Sequence, residues 1–364
     1  MQLAQAEAFR YVFGPVLSGR LGRSLGLDLL GRRVCSMNCV YCESGPLEQL
    51  TLARKAYVPA AELLGELKRW EAERSNAGQA LPDVVTLGGL GEPTLNSELP
   101  QIIAGVREIL PGVPVAVLTN SSLMTDPAVR AELAAADMLL PSLDSLVPEE
   151  FALVNRAHPG LDPKDIADGI LAFQEASRAL RHDSRARHTK LFLEVLLVAG
   201  VNDSDQGLEL MATFCNRLQP DRVDVVTLSR PGTEACAKAV DAATLSRWRE
   251  RLGGRVEQTG STAQANERGN ALEPAEGAAG TRLAVREKNG HKQDGGLRSE
   301  ELRARLLASL ARRPQTGAQL AEALLADRDV VSTVLGELLG AGRIAVRRQD
   351  GQDYYQARTD QPTP

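Results

Sequence analysis

Two periods of apolar residues alternate along the first two thirds of the chain. Short runs rich in Val, Leu and Ile stand at 25–30, 83–87, 114–118, 138–140, 190–198 and 222–228. Each is strand length, and none repeats at the helical spacing over a longer stretch. Between them, 60–72, 99–109 and 208–218 place apolar residues three and four apart, which predicts helices with one buried face. Strand and helix in turn is the pattern of parallel βαβ units. From Gly253 to Gly296 the pattern stops: Gly, Ala, Glu, Gln and Asn dominate and no aromatic occurs. Such a stretch buries too little to offset its ordering entropy and is expected to be a flexible linker. Helical periodicity returns at 299–312, 316–325 and 329–339, followed by Gly340-Ala341-Gly342 and two short strand runs, 344–346 and 354–355, around Asp350-Gly351. The expected organisation is a large domain over 1–252, a linker over 253–297, a small domain over 298–358 and a disordered tail over 359–364.

Composition narrows this picture. With 364 residues, 43% hydrophobic and 24% charged, the chain can bury a large core and a second, smaller one. A net charge of −5 argues against a protein that coats nucleic acid nonspecifically, and leaves room for a local basic face. No apolar run reaches the length needed to span a bilayer. Five cysteines in so long a chain, with no signal-peptide pattern, do not form a disulfide scaffold, so reduced thiols and a cytoplasmic location are expected.

Three of those cysteines crowd into Cys35-Ser-Met-Asn-Cys39-Val-Tyr-Cys42. Iron-sulfur clusters of the [4Fe-4S] type usually take four thiolates, so three would leave one iron open to another molecule. A structural zinc site is the alternative, although no second closely spaced pair supplies its remaining ligands.

The C-x3-C-x2-C spacing, with aromatic Tyr41 before the last cysteine, resembles the motif of the radical SAM superfamily. The resemblance implies that Cys35, Cys39 and Cys42 ligate a [4Fe-4S] cluster whose open iron binds S-adenosyl-L-methionine. It also implies reductive cleavage of that cofactor to a 5'-deoxyadenosyl radical, which takes hydrogen from a substrate. The six strand runs match the partial (β/α)6 barrel of that superfamily, so an α/β fold is expected, with a small C-terminal domain whose element order resembles a winged helix-turn-helix.

Ligands of parallel α/β folds collect beyond the carboxyl ends of the strands. There, Gly88-Gly89-Leu90-Gly91-Glu92 combines glycines that permit close backbone approach with a carboxylate that can accept from an ammonium group. It resembles the superfamily's GGE element, which implies cofactor binding at Gly89, Gly91 and Glu92. The resemblance places further cofactor or substrate contacts at Asn120, Ser142 and Asp144, with helix capping the alternative for the serine. Glu194, inside an apolar strand, costs free energy unless paired and is a candidate polar contact within the barrel.

Two segments resemble a narrower, uncharacterised group of wyosine-type iron-sulfur oxidoreductases: 13–26, and Asn155-Arg156-Ala157-His158-Pro159-Gly160, where alanine replaces the group's proline. Arg20, Arg23, Arg156 and His158 are therefore candidates to hold an anionic group at the barrel mouth. A wyosine synthase would need a second cluster with more cysteines, and only Cys215 and Cys236 remain. Cys215 lies at helical spacing and is expected as a small buried hydrophobe, while Cys236, beyond the last strand, is a candidate active-site thiol.

Within the C-terminal domain, Arg328 in the third helix stands among Asp327, Asp329 and Glu337, whereas Arg343, Arg347 and Arg348 gather on the strands. That distribution favours docking of an RNA or protein substrate over reading of a DNA groove. The resemblance implies a radical SAM enzyme reduced by a flavodoxin or ferredoxin. A glycyl-radical-enzyme activase and an iron-sulfur redox-sensing, nucleic-acid-binding regulator are the two other classes the sequence allows.

Overall fold

The computed structural model describes residues 9–179, 188–253, 299–324, 326–349 and 351–358. The expected linker, apart from Gly253, and the expected tail lie outside the described residues.

The chain opens on an antiparallel pair, β1 (Val12–Ser18) and β2 (Gly22–Asp28). Next, β3 (Val34–Cys35) and β4 (Gln49–Leu50) pair in parallel and close the base of the cysteine loop. Strand and helix then alternate: α1 (Ala60–Asn76), β5 (Val84–Gly88), α2 (Leu99–Ile109), β6 (Val115–Thr119), α3 (Pro127–Leu133) and β7 (Met138–Pro141). The series continues with α4 (Pro148–Asn155), α5 (Pro163–Ala179), β8 (Lys190–Leu197), α6 (Asp205–Leu218), β9 (Arg222–Thr227) and α7 (Ala242–Leu252). The main sheet runs β1-β2-β5-β6-β7-β8-β9, and every neighbouring pair from β2 onward is parallel.

All six strands expected from the apolar runs are present. Strand β5 is buried along its whole length, which is why its sequence is mostly apolar and its one polar side chain, Thr86, bonds to the Ser24 hydroxyl: a parallel strand is covered on both faces. Strand β8 alternates instead, with Leu191, Leu193, Val195 and Leu197 fully buried on one face and Phe192, Glu194 and Leu196 half-buried on the other. Arg20, in the turn between β1 and β2, forms an ion pair with Glu194 of β8 although three strands separate β2 from β8. The sheet therefore curls into a half-barrel whose inner face carries the pair.

Strand β1 and helices α3, α4, α5 and α7 are elements the sequence reading does not name. In β1, Gly14-Pro15 breaks the alternation, and the register shifts between Phe13 and Val16. An edge strand tolerates this because a missing N–H there need not serve the ladder. Helices α3, α4 and α5 each begin on proline, which punctuates a sequence yet fits the first helical position.

The C-terminal elements are α8 (Ser299–Leu310), α9 (Gly317–Leu324), α10 (Arg328–Gly340) and the hairpin β10 (Ile344–Gln349) to β11 (Gln352–Ala357). They enclose their own core of Leu302, Leu306, Leu310, Leu320, Val331, Val334, Leu335, Leu338 and Ile344. Asp327 caps α10 by accepting from the amides of Asp329 and Val330.

This module docks on the barrel chiefly through polar groups. The Arg312 guanidinium lies 4.2 Å from the centroid of the Phe13 ring, donates to the Arg10 carbonyl at 2.5 Å and reaches Asp28 Oδ2 at 3.5 Å. That ring in turn covers Gly26, where an added Cβ would come within 2.1 Å of Phe13 Cζ. Arg33 donates to the Ala311 carbonyl at 3.1 Å, and the Tyr354 hydroxyl to the Ser229 carbonyl at 3.0 Å.

Candidate active site

The cysteine loop is held on both flanks by backbone hydrogen bonds. On one side Val40 N–H donates to the Val154 carbonyl (3.0 Å), Asn38 N–H to Asn155 (3.0 Å), and His158 N–H to Ser36 (2.9 Å), so the end of α4 and the residues after it act as a strap. On the other, Glu234 N–H donates to the Val40 carbonyl at 3.0 Å and the Thr233 hydroxyl to the Cys42 carbonyl at 2.7 Å. Gly232 sits so close that a Cβ there would lie 2.8 Å from Tyr41 Cα.

Cys35, Cys39 and Cys42 line one cavity of about 290 Å³, together with Gly89, Gly91, Glu92, Asn120, Ser142 and Glu194. These residues come from five separate segments, the cysteine loop and the ends or interiors of β5, β6, β7 and β8. Burial pushes all three thiols up, Cys35 to about 12; the nearby charge of Glu92 adds to the rise at Cys35, and that of Asp144 to the rise at Cys39. Two amides oppose that cost: Asn120 Nδ2 donates to Cys35 Sγ and Asn155 Nδ2 to Cys39 Sγ, each at 3.4 Å. An N–H aimed at sulfur stabilises a thiolate over a thiol and orients it as a ligand.

The glycines of the loop after β5 are dictated by contact. At Gly91 a Cβ would stand 1.7 Å from the Val34 carbonyl oxygen, and at Gly89, where φ is +114°, it would meet Asp28 Oδ1 at 2.4 Å. Only a bare backbone lets this loop lie against the strand leading to the cysteines. Glu92 follows, 1% exposed. Its Oε1 accepts from Thr94 N (3.0 Å), Thr94 Oγ1 (2.6 Å) and Thr119 Oγ1 (2.7 Å), and its Oε2 from Asn120 N (2.7 Å). Burial raises its pKa while these four donors pull it back. Oε1 is saturated, whereas Oε2 retains capacity for one more donor.

Asp144 is the second buried carboxylate, and it stands behind the cavity wall. It accepts from Tyr41 Oη (2.6 Å), Asn155 Nδ2 (2.6 Å) and Leu196 N (2.9 Å). Burial raises its pKa, and burial followed by the Asp144 charge pushes the Tyr41 phenol well above its usual value. Asp144 thus ties the cysteine loop to β8 and the strap, and the Tyr41 hydroxyl is engaged there. Asn202 completes the knot, donating to the carbonyls of Asp144 (2.9 Å) and Leu196 (2.8 Å). The parts played by Asn155 and Asn202 were not readable from sequence; the available signals were that Asn155 opens the Asn155-to-Gly160 stretch and that Asn202 stands in the Gly200-Val201-Asn202-Asp203 turn.

Other candidates separate. Ser142 Oγ lies 3.4 Å from Glu194 Oε1, which also pairs with Arg20. Arg23 is not at the mouth: its Nη2 donates to the Ala80 carbonyl at 3.3 Å, at the amino end of β5 and opposite the cavity, because its strand is registered Ser24 to Val84. Arg156 pairs with Glu234 at 2.7 Å, clasping the two flanks of the cysteine loop. The His158 ring accepts from Gly160 N at 3.1 Å, a local turn contact. Cys236 is exposed and lines neither this cavity nor the larger cleft beside it. Cys215 is buried in α6, its thiol pushed up to about 12 by burial.

Among the described residues no three His, Cys, Asp or Glu side chains converge on the single point that one metal ion requires. Three thiols spread around one cavity, two of them receiving amide N–H groups, form a donor set that fits a thiolate-held iron-sulfur cluster. No helix among the described residues is long and apolar enough to cross a membrane.

Known proteins agree with this geometry. The profile of the radical SAM superfamily matches residues 32–183, the span from the cysteine loop through α5. A UPF0026 protein of Helicobacter pylori (strain J99) is 34% identical over 231 residues, covering 62% of this chain and 69% of its own length. A Brachyspira hyodysenteriae protein named GTPase Obg is 33% identical over 230 residues, or 63% of this chain, and the chain spans only 32% of that protein. The crystal structure of Streptococcus suis SuiB bound to S-adenosylmethionine superposes with a TM-score of 0.43 at 19% identity, over 63% of this chain and 46% of that one. The chain belongs to the UPF0026 proteins, and its segment 32–183 matches the radical SAM superfamily.

Proposed function

We propose that the chain holds a [4Fe-4S] cluster on Cys35, Cys39 and Cys42 and binds S-adenosyl-L-methionine beside it, acting as a radical enzyme on a substrate docked by residues 298–358. When bound, these two groups supply one-electron reduction of a sulfonium and removal of a hydrogen atom from the substrate. The observation that carries the reading is the meeting of three buried thiols, Glu92 and Asn120 on one cavity wall.

The chain's own residues have defined tasks in this scheme. Burial further favours the neutral thiols, which would give up their protons on ligating iron. Thr94, Thr119 and the Asn120 amide fix the Glu92 carboxylate, whose Oε2 has a lone pair left that would accept from the cofactor's ammonium group. Gly89 and Gly91 admit backbone close to the cofactor. Met37, Leu118 and Leu140 give the cavity an apolar wall that keeps water from a reactive centre. Arg20 neutralises Glu194 beneath it. A flavodoxin or ferredoxin would supply the electron.

The C-terminal module, three helices and a hairpin, is taken as a winged helix-turn-helix that presents the substrate, an RNA base or a polypeptide. Among the described residues its hairpin, not α10, stands next to the cysteine loop, through Arg347 Nη1 and the Gly232 carbonyl at 3.3 Å. That arrangement favours substrate delivery over reading of a DNA groove.

The test is anaerobic reconstitution with iron and sulfide, followed by dithionite and S-adenosylmethionine. Release of 5'-deoxyadenosine, measured by chromatography, is expected. Protein that takes up zinc alone and releases none would overturn the proposal. Release also separates an enzyme from a redox-sensing regulator.

A further inference from the structure

A second and larger cleft, of about 590 Å³, lies between the barrel and the C-terminal hairpin. Its size suits a ligand of nucleotide dimensions, since small-molecule sites occupy roughly 300–1,000 Å³. Its walls carry Arg33, Arg347 and Arg358 against one acid, Glu43.

The cationic excess continues just outside the lining residues. Arg230 approaches Glu43 at 3.7 Å, and its Nη1 is buried without a hydrogen-bond partner among the described residues. Arg313 lies close enough to Arg230 that the two repel, and its guanidinium is held below its usual pKa by burial first and by Arg230 second. Arg347 meets only the Gly232 carbonyl at 3.3 Å, and Arg358 has no carboxylate within ion-pair distance among the described residues. Arg33 is partly engaged, near Glu48 Oε1 at 3.7 Å and donating to the Ser44 and Ala311 carbonyls, so the unspent capacity lies mainly with Arg347 and Arg358; Arg54, Arg107, Arg222 and Arg251 elsewhere each meet a carboxylate more closely. Arg230 and Arg313 are partly desolvated, and like charges so gathered cost free energy unless an anion offsets it.

We propose that this cleft binds a phosphate ester, gripped by Arg347 and Arg358 of the hairpin against Arg33 and Arg230 of the barrel. Guanidinium groups suit that ligand because their planar N–H forks match two phosphate oxygens at once. Position makes the cleft part of the reaction site: Arg33, Cys42 and Gly45 line it and the cofactor cavity alike. A substrate anchored here by its phosphate lies beside the cysteine loop. The inference rests on the proposed function and names its substrate class. The phosphate belongs either to a free nucleotide or to a nucleic acid strand.

Fluorescence anisotropy of a labelled single-stranded oligoribonucleotide on the full-length protein tests the idea, with a nucleoside monophosphate and inorganic pyrophosphate as competitors. Wild-type protein is expected to bind, and the double variant Arg347→Gln/Arg358→Gln to bind at least tenfold more weakly. The dependence of log affinity on log salt is expected to flatten by about 2 in that variant, roughly one per lost phosphate contact. Both side chains are exposed, so the variant should fold, and circular dichroism checks that it does. Displacement of the RNA by mononucleotide at low concentration assigns the site to free nucleotides, and resistance to it assigns a strand; both support the proposal. Equal affinity and salt slope in wild type and variant would overturn it, as would wild-type protein that binds none of the three probes. Deoxyadenosine release by the wild type, measured alongside without a probe, reports the cofactor chemistry separately. A failure of phosphate binding with release intact sinks only this inference.

Discussion

Charge is handled in opposite ways on the two sides of the cysteine loop. On the barrel side, Glu92 and Asp144 are 1% exposed, and each is met by three or four protein donors. On the side of the C-terminal module, Arg347 and Arg358 line a cleft, and among the described residues their side chains meet one carbonyl between them. Buried charge is tolerated only when satisfied, so the first arrangement is rigid and fixes geometry. The second keeps its hydrogen-bonding capacity unspent, as a binding surface must. The difference divides the described residues into a part whose buried charges are satisfied internally and a part whose guanidinium groups face open space.

Removing a thiol tests the rigid side most severely. Cys39→Ala is expected to lose both the visible absorbance of the reconstituted cluster and deoxyadenosine release. The loss should exceed the roughly 10–100-fold that follows loss of an outer-shell partner. Retained absorbance and turnover would break the division at its root.

Asn155→Ala reaches the same site from behind. It removes one donor from Asp144 and the N–H aimed at Cys39. Iron retention should fall roughly tenfold or more. Thermal unfolding of the apo protein should show a cost of about 1–3 kcal/mol, because a buried carboxylate loses a partner. An unchanged midpoint would mean that the Asp144 knot does not hold the loop.

Arg312→Ala addresses the junction between the two sides. Its guanidinium, held below its usual pKa by burial although the Asp28 charge opposes the shift, sits against Phe13 and the Arg10 carbonyl. Asp28 Oδ1 also accepts from Leu90 N at 3.3 Å, so the contact reaches the glycine loop above Glu92. Hydrogen exchange should quicken in β1 and α8 and stay unchanged in β6 and β7, with a local loss of about 1–3 kcal/mol. Uniform acceleration across the barrel would show that the module supports the whole fold instead.

The smallest effect is confined to alkaline pH. Cys215 has a folded pKa of about 12 against a usual thiol value of 9.0, because burial disfavours the thiolate. A raised folded pKa contributes stability that is complete below pH 9.0 and fades as pH climbs toward about 12. Cys215→Ala should therefore lose less stability than wild type between pH 9 and 10 in denaturant titrations, against the thiol's usual value of 9.0. Parallel curves would show that the α6 core opens to solvent.

Much of this was legible in advance, for identifiable reasons. The six parallel strands could be read because burial in a covered sheet demands runs dominated by apolar residues, such as Val84-Val85-Thr86-Leu87. Strand β1 could not, since an edge strand needs no such run and Gly14-Pro15 interrupts it. The three cysteines and the glycine-glutamate loop stood out because their chemistry is local: spacing alone brings the thiols together, and glycine alone fits under the Val34 carbonyl. Arg20 and Arg23 looked alike in sequence. One reaches Glu194 across the curled sheet, and the other faces away at the strand's amino end.

The sequence by itself determined the donor set, the parallel sheet and the separate C-terminal core, because each follows from short-range spacing or from the period of apolar residues. Which distant groups meet was decided only by the tertiary structure. Asn155 against Cys39, Asp144 between Tyr41 and Leu196, and hairpin arginines beside Cys42 are contacts between segments from 52 to more than 300 residues apart. They exist because the sheet curls and the module packs across its open end, and no local pattern encodes a distance that only the closed chain creates.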